Sequence, residues 1–332
     1  MKIIFSESSN LNNSVYGNCQ APIKMFLEKR GEEFEQNSVL KNLFLMGSSK
    51  NYGDVMTTLT AMSGFEPVGE NGAYPLDGMQ EGYQKFLKYQ TWKDSFSVSK
   101  EMIEDGKLLD MRKQPAAFMT SYKRTRELFG AALYGAAMMG NGSVTFKGVK
   151  FDLTGADGSN LFAKEHVPKV SGDKQCNCFK DAFSVDTLGK LETKMHLFRG
   201  DNDEILDVAP DTILIPENAD LKKAVFAAIG ADKDPVSANN AFNYQYGRWN
   251  VIVWPYLNHY ITNGVSPWVL LDSKYNETYG GAVWNDRIQL DVRSTIDENT
   301  DANVWRGRSR FNACFNDWRF AAIGGIAAGN SL

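Results

Sequence analysis

The stretch "PAAFMTSYKRTRELFGAALYGAAMMGNG", residues 115–142, carries the clearest helical pattern of the chain. From Phe118 to Ala136, aromatic, leucine and alanine side chains recur at steps of three and four, which places them on one face of a helix. Pro115 suits a first helical turn, and the closing glycines suit a helix end. The pattern predicts a helix over about 115–139, roughly 37 Å long at about 1.5 Å per residue.

The opposite face of this helix is charged, and we expect solvent to cover it. Lys123, Arg124, Arg126 and Glu127 all fall there, and charges along one side of a helix usually mark a solvated face. A long helix with a single apolar face needs a second layer to bury that face. The sequence therefore predicts a spine helix on which a sheet lies.

Glycine and proline interrupt the sequence between residues 51 and 88, so no long element can persist there. The interruptions are Gly64, Pro67, Gly69, Gly72, Pro75, Gly78 and Gly82. A surface loop is the simplest interpretation, but connections longer than about 12–15 residues usually have a function. An extended hairpin that reaches a neighbouring molecule is one such function. A strand with Phe96 and Val98 on one face follows, and then a short helix that ends at Gly106.

The second half of the chain is rich in strands. The segment "DTILIPENADLKKAVFAAIGAD", from Asp211, reads as a strand, a turn and a helix over about Ala219–Ile229, capped by Asn218 or Asp220. Two further apolar strands, "RWNVIVWPYL" and "PWVLLDS", complete a compact α+β module. The end, "RIQLDVRSTIDENTDANVWRGRSRFNACFNDWRFAAIGG", reads as two long antiparallel strands.

The charge balance limits the classes of partner. Lysine plus arginine number 36, aspartate plus glutamate 40, and the net charge is −4. Neutralising phosphates requires clustered basic residues, so this balance argues against tight DNA binding through a basic face, though not against a protein that surrounds DNA. In "VWRGRSRF", Trp305 and Phe311 alternate with arginines at 306, 308 and 310, as on a platform that stacks single-stranded bases. We favour the alternative, a strand with its rings inside and its arginines paired outside.

No pattern in the sequence indicates catalysis. The three histidines, His166, His196 and His259, are scattered, and we interpret His166 as a packing or loop residue. Phosphate-binding, dinucleotide-binding and nucleophile-elbow motifs are all missing from the sequence. We therefore expect no catalytic residue, no cofactor-binding residue and no cofactor, and we predict that the protein is not an enzyme.

Metal binding and secretion are also not indicated. Cys176 and Cys178 stand too close for a zinc site, and "GDNDE" at 200–204 lacks the twelve-residue calcium loop. We expect no metal ligands and free thiols in a reducing compartment. The start carries too little charge and apolar sequence for a signal peptide, and no run approaches about 18 apolar residues. The sequence predicts a soluble, non-secreted protein with no membrane partner.

An acid, an aromatic residue and a base stand together near the chain end, at Asp317, Trp318 and Arg319. We expect Trp318 to bury against the spine helix, and the two charges to pair with neighbours across strands or across subunits. The small residues that follow should let the chain end lie close against another backbone.

The order of these parts resembles the major capsid protein of tailed phages, with the Hong Kong 97 type of fold, and in local sequence its Mu-like major head subunit group. The stretches that carry the resemblance span about residues 55–325. They are "ENGAYPLDGMQEGYQKFLKYQTWKDSFSVSKEMIEDGKL" at 70–108, "FMTSYKRTRELFGAAL" at 118–133, "FDLTGADGSNLFAKEH" at 151–166, "PDTILIPENADLKKA" at 210–224 and "NDWRFA" at 316–321.

The resemblance implies an α+β fold with five parts. They are an N-arm at 1–50, an E-loop with its flanking strand at 51–100, a peripheral domain with the spine helix at 101–205, an axial domain at 206–290, and closing strands at 291–332 that return to the peripheral and axial sheet.

The resemblance also implies a function. Such proteins assemble as hexamers and pentamers into an icosahedral shell that encloses double-stranded DNA, in the host bacterial cytoplasm, and become part of the virion. The expected partners are further copies of the chain, a separate scaffolding protein, a portal and possibly decoration proteins. Some members link Lys to Asn between subunits; Lys85, Lys88 and Lys93 lie near the loop, without a basis for choosing one. An encapsulin-like nanocompartment shell that holds protein cargo is the alternative function.

Overall fold

A computed structural model of the chain describes residues 3–5, 17–59, 65, 67–70, 72–74, 76, 81–105, 108–170, 172–230 and 242–332. In chain order, the elements of these ranges are β1 Ile4–Phe5, α1 Gly17–Asn37, α2 Leu40–Leu43, β2 Leu45–Ser48, β3 Gly53–Leu59, β4 Glu81–Lys88, β5 Gln90–Val98, α3 Lys100–Glu104, α4 Leu108–Met138, β6 Ser143–Phe146, β7 Val149–Asp152, α5 Val185–His196, β8 Thr212–Ile215, α6 Ala219–Ile229, β9 Asn250–Val253, a 3-10 turn Pro255–His259, β10 Trp268–Leu271, α7 Ser273–Tyr279, β11 Ala282–Ile296, β12 Asn303–Phe315 and β13 Ala321–Gly324.

Two sheets organise the fold. The central sheet has the order β1-β11-β12-β5, and β2 also pairs with β11. The second sheet has the order β13-β10-β8-β9, in which β8 and β9 run parallel. Two hairpins, β3-β4 and β6-β7, stand apart from both sheets. The α+β class and the long antiparallel closing pair β11-β12 are thus confirmed, and the elements follow the order that the resemblance implied.

Helix α4 lies on the inner face of the central sheet, as predicted for a spine helix. Phe129 in the middle of α4 is fully buried. Its ring centroid lies 5.5 Å from that of Trp284 on β11 and 6.0 Å from that of Phe311 on β12. Near the start of the helix, a Cβ atom on Gly307 of β12 would stand 2.3 Å from the Phe118 ring. The glycine is therefore required for the sheet to approach the helix this closely.

The predicted start of the spine helix is wrong. The helix begins at Leu108 and continues through Pro115 to Met138. A proline inside a helix removes one backbone hydrogen bond and usually kinks or breaks the helix. The buried face continues beyond Pro115, which is itself buried, with Phe118 and Met119, and this packing stabilises the turns on both sides. The predicted end is confirmed, since Gly140 adopts φ +74° just past it.

The prediction of a fully solvated charged face on α4 is also wrong. Arg126 and Glu127 are both buried. Arg126 forms two hydrogen bonds with Asp286, at 2.7 and 3.1 Å, and its guanidinium lies 4.7 Å from the Trp284 ring centroid. Glu127 accepts hydrogen bonds from Ser38 and from the Trp254 indole nitrogen. Burial raises the pKa of Glu127, although these hydrogen bonds and that from the Val39 amide oppose the shift.

The N-terminal segment forms a helix that packs on the same subunit. The resemblance implied an N-arm at 1–50, and α1 spans 21 of these residues. Leu27 and Ile23 of α1 belong to the main core together with Met119 of α4. At Gly31, a Cβ atom would stand 2.9 Å from the Ile3 side chain. Strand β1 pairs in parallel with β11, so the start of the chain is fixed to the central sheet.

The strand-turn-helix unit predicted from Asp211 is confirmed with its bounds, and the cap is Asn218. Its side-chain oxygen accepts hydrogen bonds from the backbone N–H groups of Asp220 and Leu221 at 3.0 and 3.2 Å.

We expect Asn218→Ala to lower the free energy of unfolding by about 1 kcal/mol, because two amides at the helix start lose their acceptor. Urea unfolding measures the change. Asn218→Ser, which keeps an acceptor, should stay within a few tenths of a kcal/mol of the wild type; equal losses in both variants would contradict the capping role.

Candidate assembly surfaces

The hairpin β3-β4 presents apolar side chains to solvent. At its far end, Phe65, Tyr74 and Leu76 are 109 %, 96 % and 102 % exposed. The hairpin is a two-stranded sheet, apart from the larger sheets of the described chain, and an isolated two-stranded hairpin is only marginally stable in water. Exposed apolar groups of this kind mark interaction surfaces. The predicted hairpin is therefore present, and the apolar side chains described at its tip are exposed.

The base of the hairpin is fixed to its own subunit by polar contacts. Lys85 is mostly buried, lies 3.0 Å from the Asp152 carboxylate, and donates a hydrogen bond to the Thr154 carbonyl. Lys169 donates to the Gly82 carbonyl at 2.5 Å. These contacts hold the base of the hairpin to its own subunit.

A second polar cluster joins the hairpin to the central sheet. The Tyr89 hydroxyl donates to the Asp54 carboxylate, and Asn285 of β11 donates to the Tyr89 oxygen at 3.2 Å. Burial and the hydrogen bond to Asp54 raise the pKa of Tyr89. Burial alone would raise the pKa of Asp54, but hydrogen bonds from Tyr89, Asn51 and Ser49 lower it overall, so this carboxylate remains charged.

Lys85→Met tests whether this base orders the hairpin. The charge-assisted hydrogen bonds of Lys85 contribute about 1.5–3 kcal/mol, so we expect amide hydrogen exchange in β3 and β4 to become at least about tenfold faster. Exchange in α4 should not change. Lys88→Met provides the matched control, since Lys88 is exposed and its nearest partner is the Tyr52 ring at 5.4 Å. If both variants exchange as the wild type does, Lys85 does not order the hairpin.

The C-terminal triplet, Asp317, Trp318 and Arg319, is buried, and the expectation that Trp318 packs on the spine helix is wrong. Trp318 stacks on the His166 ring at 4.1 Å and meets Phe198 edge-on at 5.1 Å, rather than packing on the spine helix. Arg319 pairs with Asp317 of the triplet at 3.3 Å and with Asp201 at 2.9 Å, in the same subunit rather than across subunits. The sequence did not reveal His166, Phe198 and Asp201 as partners because they lie more than a hundred residues away.

The same cluster contains His166. Its Nδ1 lies 2.7 Å from the Asp157 carboxylate and its Nε2 lies 3.1 Å from the Asn177 side-chain oxygen. His166 is therefore buried with both ring nitrogens in hydrogen bonds, an arrangement compatible with the packing role predicted for it. Residues of the hairpin, Thr58 and Tyr83, line a small cleft together with Trp318 and Arg319. The triplet and the base of the hairpin therefore lie on two sides of the same cleft.

Burial and the neighbouring charged groups shift the pKa values of this cluster. Burial alone would lower the pKa of Arg319, but Asp317, Tyr275 and Asp201 around it raise the pKa above its ordinary value. The Tyr275 hydroxyl donates to the second Asp317 oxygen at 2.9 Å, and burial raises the pKa of Tyr275 well above its usual range. Each charge is compensated inside the cluster, which indicates a structural role.

The small residues after the triplet make the close approach that the sequence predicted. Strand β13 is fully buried and pairs with β10. A Cβ atom on Gly324 would stand 2.4 Å from the Trp268 ring. The chain end is therefore part of the second sheet.

The segment 304–311 forms the middle of β12 with its rings inside. Trp305 stacks on Phe96 at 6.0 Å and Phe311 is fully buried, so these rings cannot stack on nucleic-acid bases. Arg306 and Arg308 are exposed, as expected, and Arg310 is half-buried. The predicted pairing fails for all three, since within the described residues none of them forms an ion pair.

The part of the chain that the structure describes holds no group of three metal-ligating side chains. Cys176, Cys178 and Cys314 are free thiols, and burial raises the pKa of Cys178 and of Cys314 to about 11. None of the helices searched in these ranges combines the length and apolar character of a membrane span.

Comparisons with known proteins point to one family. Residues 83–324 match the family model described as "Phage capsid protein". No curated protein matches the sequence. Among solved structures, the chain is similar to that of Mycobacterium phage Patience, with a TM-score of 0.48 and 13 % identity over 100 % of this chain and 94 % of the other. It is also similar to the capsid of Ralstonia phage GP4, with a TM-score of 0.48 and 10 % identity over 86 % and 90 % of the two chains. A third similar structure is a virus-like particle from Pyrococcus furiosus, with a TM-score of 0.47 and 10 % identity over 91 % and 97 %.

Proposed function

The chain belongs to the phage capsid protein family, and from this premise we propose that it is the major capsid protein of a tailed phage. Copies assemble as hexamers and pentamers into an icosahedral shell that encloses double-stranded DNA. The observation that carries the proposal is the hairpin, whose base is fixed to its own subunit and whose apolar tip is exposed. A neighbouring subunit in a shell supplies the surface on which that tip is buried.

Ring and shell assembly follow from contacts of this type. A contact between two different surfaces of identical subunits runs head to tail and closes a ring when its rotation permits. Burying the hairpin tip yields about 25 cal/mol per Å² of apolar area. Each contact is modest, but many simultaneous contacts in a shell act together through effective concentration.

The role is structural and not enzymatic. Several buried ionisable groups of the described residues form ion pairs that join elements of the fold, such as Arg126 with Asp286 and Arg319 with Asp201. The five-part division into N-arm, E-loop, peripheral domain, axial domain and closing strands is part of the proposal. The hairpin is the E-loop, and the β8-β9-β10 sheet is the centre of the axial domain.

The partners of the shell are part of the proposal as well. A separate scaffolding protein directs assembly in the host bacterial cytoplasm, a portal occupies one vertex, and decoration proteins bind the outside of the finished virion. The DNA is enclosed without recognition of its sequence.

Electron microscopy of the purified protein tests the function. The chain, expressed alone and with the scaffolding gene beside it, is expected to elute in the void volume of a size-exclusion column and to form closed shells. Particles from infected cells should contain double-stranded DNA. A homogeneous monomer or dimer under all these conditions would contradict the proposal, and shells filled with protein cargo would favour a nanocompartment.

A further inference from the structure

Asn177 presents its side-chain oxygen, and not its nitrogen, to the ring of His166. The Asn177 nitrogen donates hydrogen bonds to the Leu161 carbonyl at 2.8 Å and to the Ala321 carbonyl at 3.0 Å. The Asn177 oxygen accepts a hydrogen bond from the Ala163 backbone N–H at 3.0 Å. A flipped amide would set its oxygen against two carbonyls and its nitrogen against an N–H group. These partners fix the orientation of the amide, so the atom that faces Nε2 of His166 is an acceptor.

Both nitrogens of the His166 ring therefore face acceptors. Nδ1 lies 2.7 Å from the Asp157 carboxylate, and Nε2 lies 3.1 Å from the Asn177 oxygen. A neutral imidazole carries one N–H group and one lone pair, whereas the imidazolium carries two N–H groups. In either neutral tautomer, a ring lone pair would point at a lone pair of a buried oxygen. The doubly protonated ring donates both hydrogen bonds, and an imidazole is a stronger base than the carboxylate that could otherwise hold the proton.

The charges around the ring favour the same state. Arg319 forms ion pairs with Asp317 and Asp201. Among the described residues, the one ion pair of Asp157 is with His166, and the His166 and Asp157 side chains are 1 % and 7 % exposed. A carboxylate that is buried without a cation is strongly unfavourable. A positive charge on His166 provides the compensation that Asp157 otherwise lacks.

The protonated ring lies between the C-terminal triplet and the base of the hairpin. The Trp318 ring stacks on His166 with 10° between the planes, a geometry in which a cation is attracted by the indole face. The Tyr83 hydroxyl of β4 donates a hydrogen bond to the Val167 carbonyl, directly after His166, at 3.4 Å. Besides Asp157, the titratable and charged side chains around the cleft beside the ring are Tyr83, Lys169, Asp201, Asp317 and Arg319.

We propose that His166 is a buried imidazolium, and that its second proton is a latch that holds the turn at Asp157, the segment of Asn177 and the C-terminal triplet together beside the hairpin. Loss of the proton would oppose two lone pairs inside the cluster and remove the cation next to Asp157. An unfolded histidine releases its proton at about pH 6.5. Because the folded subunit keeps this proton at neutral pH, its stability falls as the pH rises. The inference does not depend on shell formation, since all of these groups belong to one subunit.

Nitrogen-15 NMR of the imidazole side chains tests the proposal. The chain contains three histidines, so the variant His196→Gln/His259→Gln leaves His166 as the single histidine in an otherwise complete chain. The spectrum is recorded at about pH 7.5, roughly one unit above the value for an ordinary histidine, on unassembled subunits or sedimented shells. We expect two nearly equal shifts, each from a nitrogen that carries a proton. Two widely separated shifts, which mark a neutral tautomer, would overturn the inference.

Asp157→Asn, made in this single-histidine chain, tests what holds the proton. The amide removes the anion, so we expect His166 to become neutral at the same pH and to keep its one proton on Nε2, where Asn177 accepts it. The matched control is Asp207→Asn. Asp207 accepts from His196 at 2.8 Å in the wild type, but at an exposed site, so its replacement should leave the His166 shifts unchanged. An imidazolium that persists in Asp157→Asn would contradict the latch.

Thermal melting measures the consequence for the subunit. Above about pH 6.5, the folded single-histidine chain holds a proton that the unfolded chain releases. Its melting temperature should therefore fall by about 2 °C per pH unit more steeply than that of the Asp157→Asn variant. The comparison uses the two slopes, so a general loss of stability in Asp157→Asn does not affect it. Parallel pH profiles of the two proteins would overturn the inference.

Discussion

Replacing the apolar hairpin tip by serine, Phe65→Ser/Tyr74→Ser/Leu76→Ser, is expected to abolish shell assembly without unfolding the subunit. The three side chains are fully exposed, so they do not contribute to the free energy of unfolding of the unassembled subunit. Burying a large apolar side chain yields about 1.5–3 kcal/mol. Losing three at each contact weakens association by about a thousandfold or more, even after allowance for ordering the loop.

Analytical ultracentrifugation measures the assembly, and thermal melting measures the subunit. The control Phe65→Leu/Tyr74→Phe/Leu76→Ile keeps the tip apolar and should form shells with a somewhat altered yield. The melting temperature of the serine variant should lie close to that of unassembled wild type. Normal shells from the serine variant would show that the tip is not buried on a neighbour.

Arg319→Met is expected to destabilise the subunit itself. The side chain fills the same space without its charge, and it leaves Asp317 and Asp201 buried without a cation. Breaking a buried ion pair by removing one partner costs about 3–5 kcal/mol. This loss is a large fraction of the 5–15 kcal/mol that typically stabilises a folded domain. Urea unfolding of the unassembled protein measures it.

Arg199→Met is the matched control. Arg199 pairs with Asp203 at 2.8 Å, but both side chains are about half exposed, and an exposed pair contributes about 1 kcal/mol or less. A second variant, Arg319→Met/Asp201→Asn, removes one of the stranded charges and should recover part of the loss. Equal, small effects of Arg319→Met and Arg199→Met would contradict the structural role of the triplet.

The sequence predicted those elements whose pattern is local. The closing strands, the helix at 219–229 and the strand containing Phe96 are all present. Their hydrophobic periodicity, helix caps and turns each depend on residues that are close together in the sequence. The start of α4 lies seven residues before the predicted one, because Pro115 indicates a boundary in the sequence, whereas the packing of Phe118 on the sheet and of Met119 on the N-terminal helix overrides that signal.

The charged contacts could not be predicted, because their partners are distant in the chain. Arg126 looked like a solvated residue, yet its partner Asp286 lies 160 positions away. The net charge of −4 likewise did not indicate that Arg306 stands opposite Arg293 and Arg308 opposite Lys93, since a sum over the chain does not tell which cations a sheet places side by side. The exposed hairpin was predictable from its glycines and prolines, but the identity of its apolar tip was not.

A cryo-electron microscopy reconstruction of assembled shells, at a resolution that shows side chains, tests the central claim most directly. We predict density for Phe65, Tyr74 and Leu76 packed against the adjacent subunit. Density that places the hairpin tip on its own subunit, or a protein that stays a self-contained monomer and never polymerises, would contradict the account.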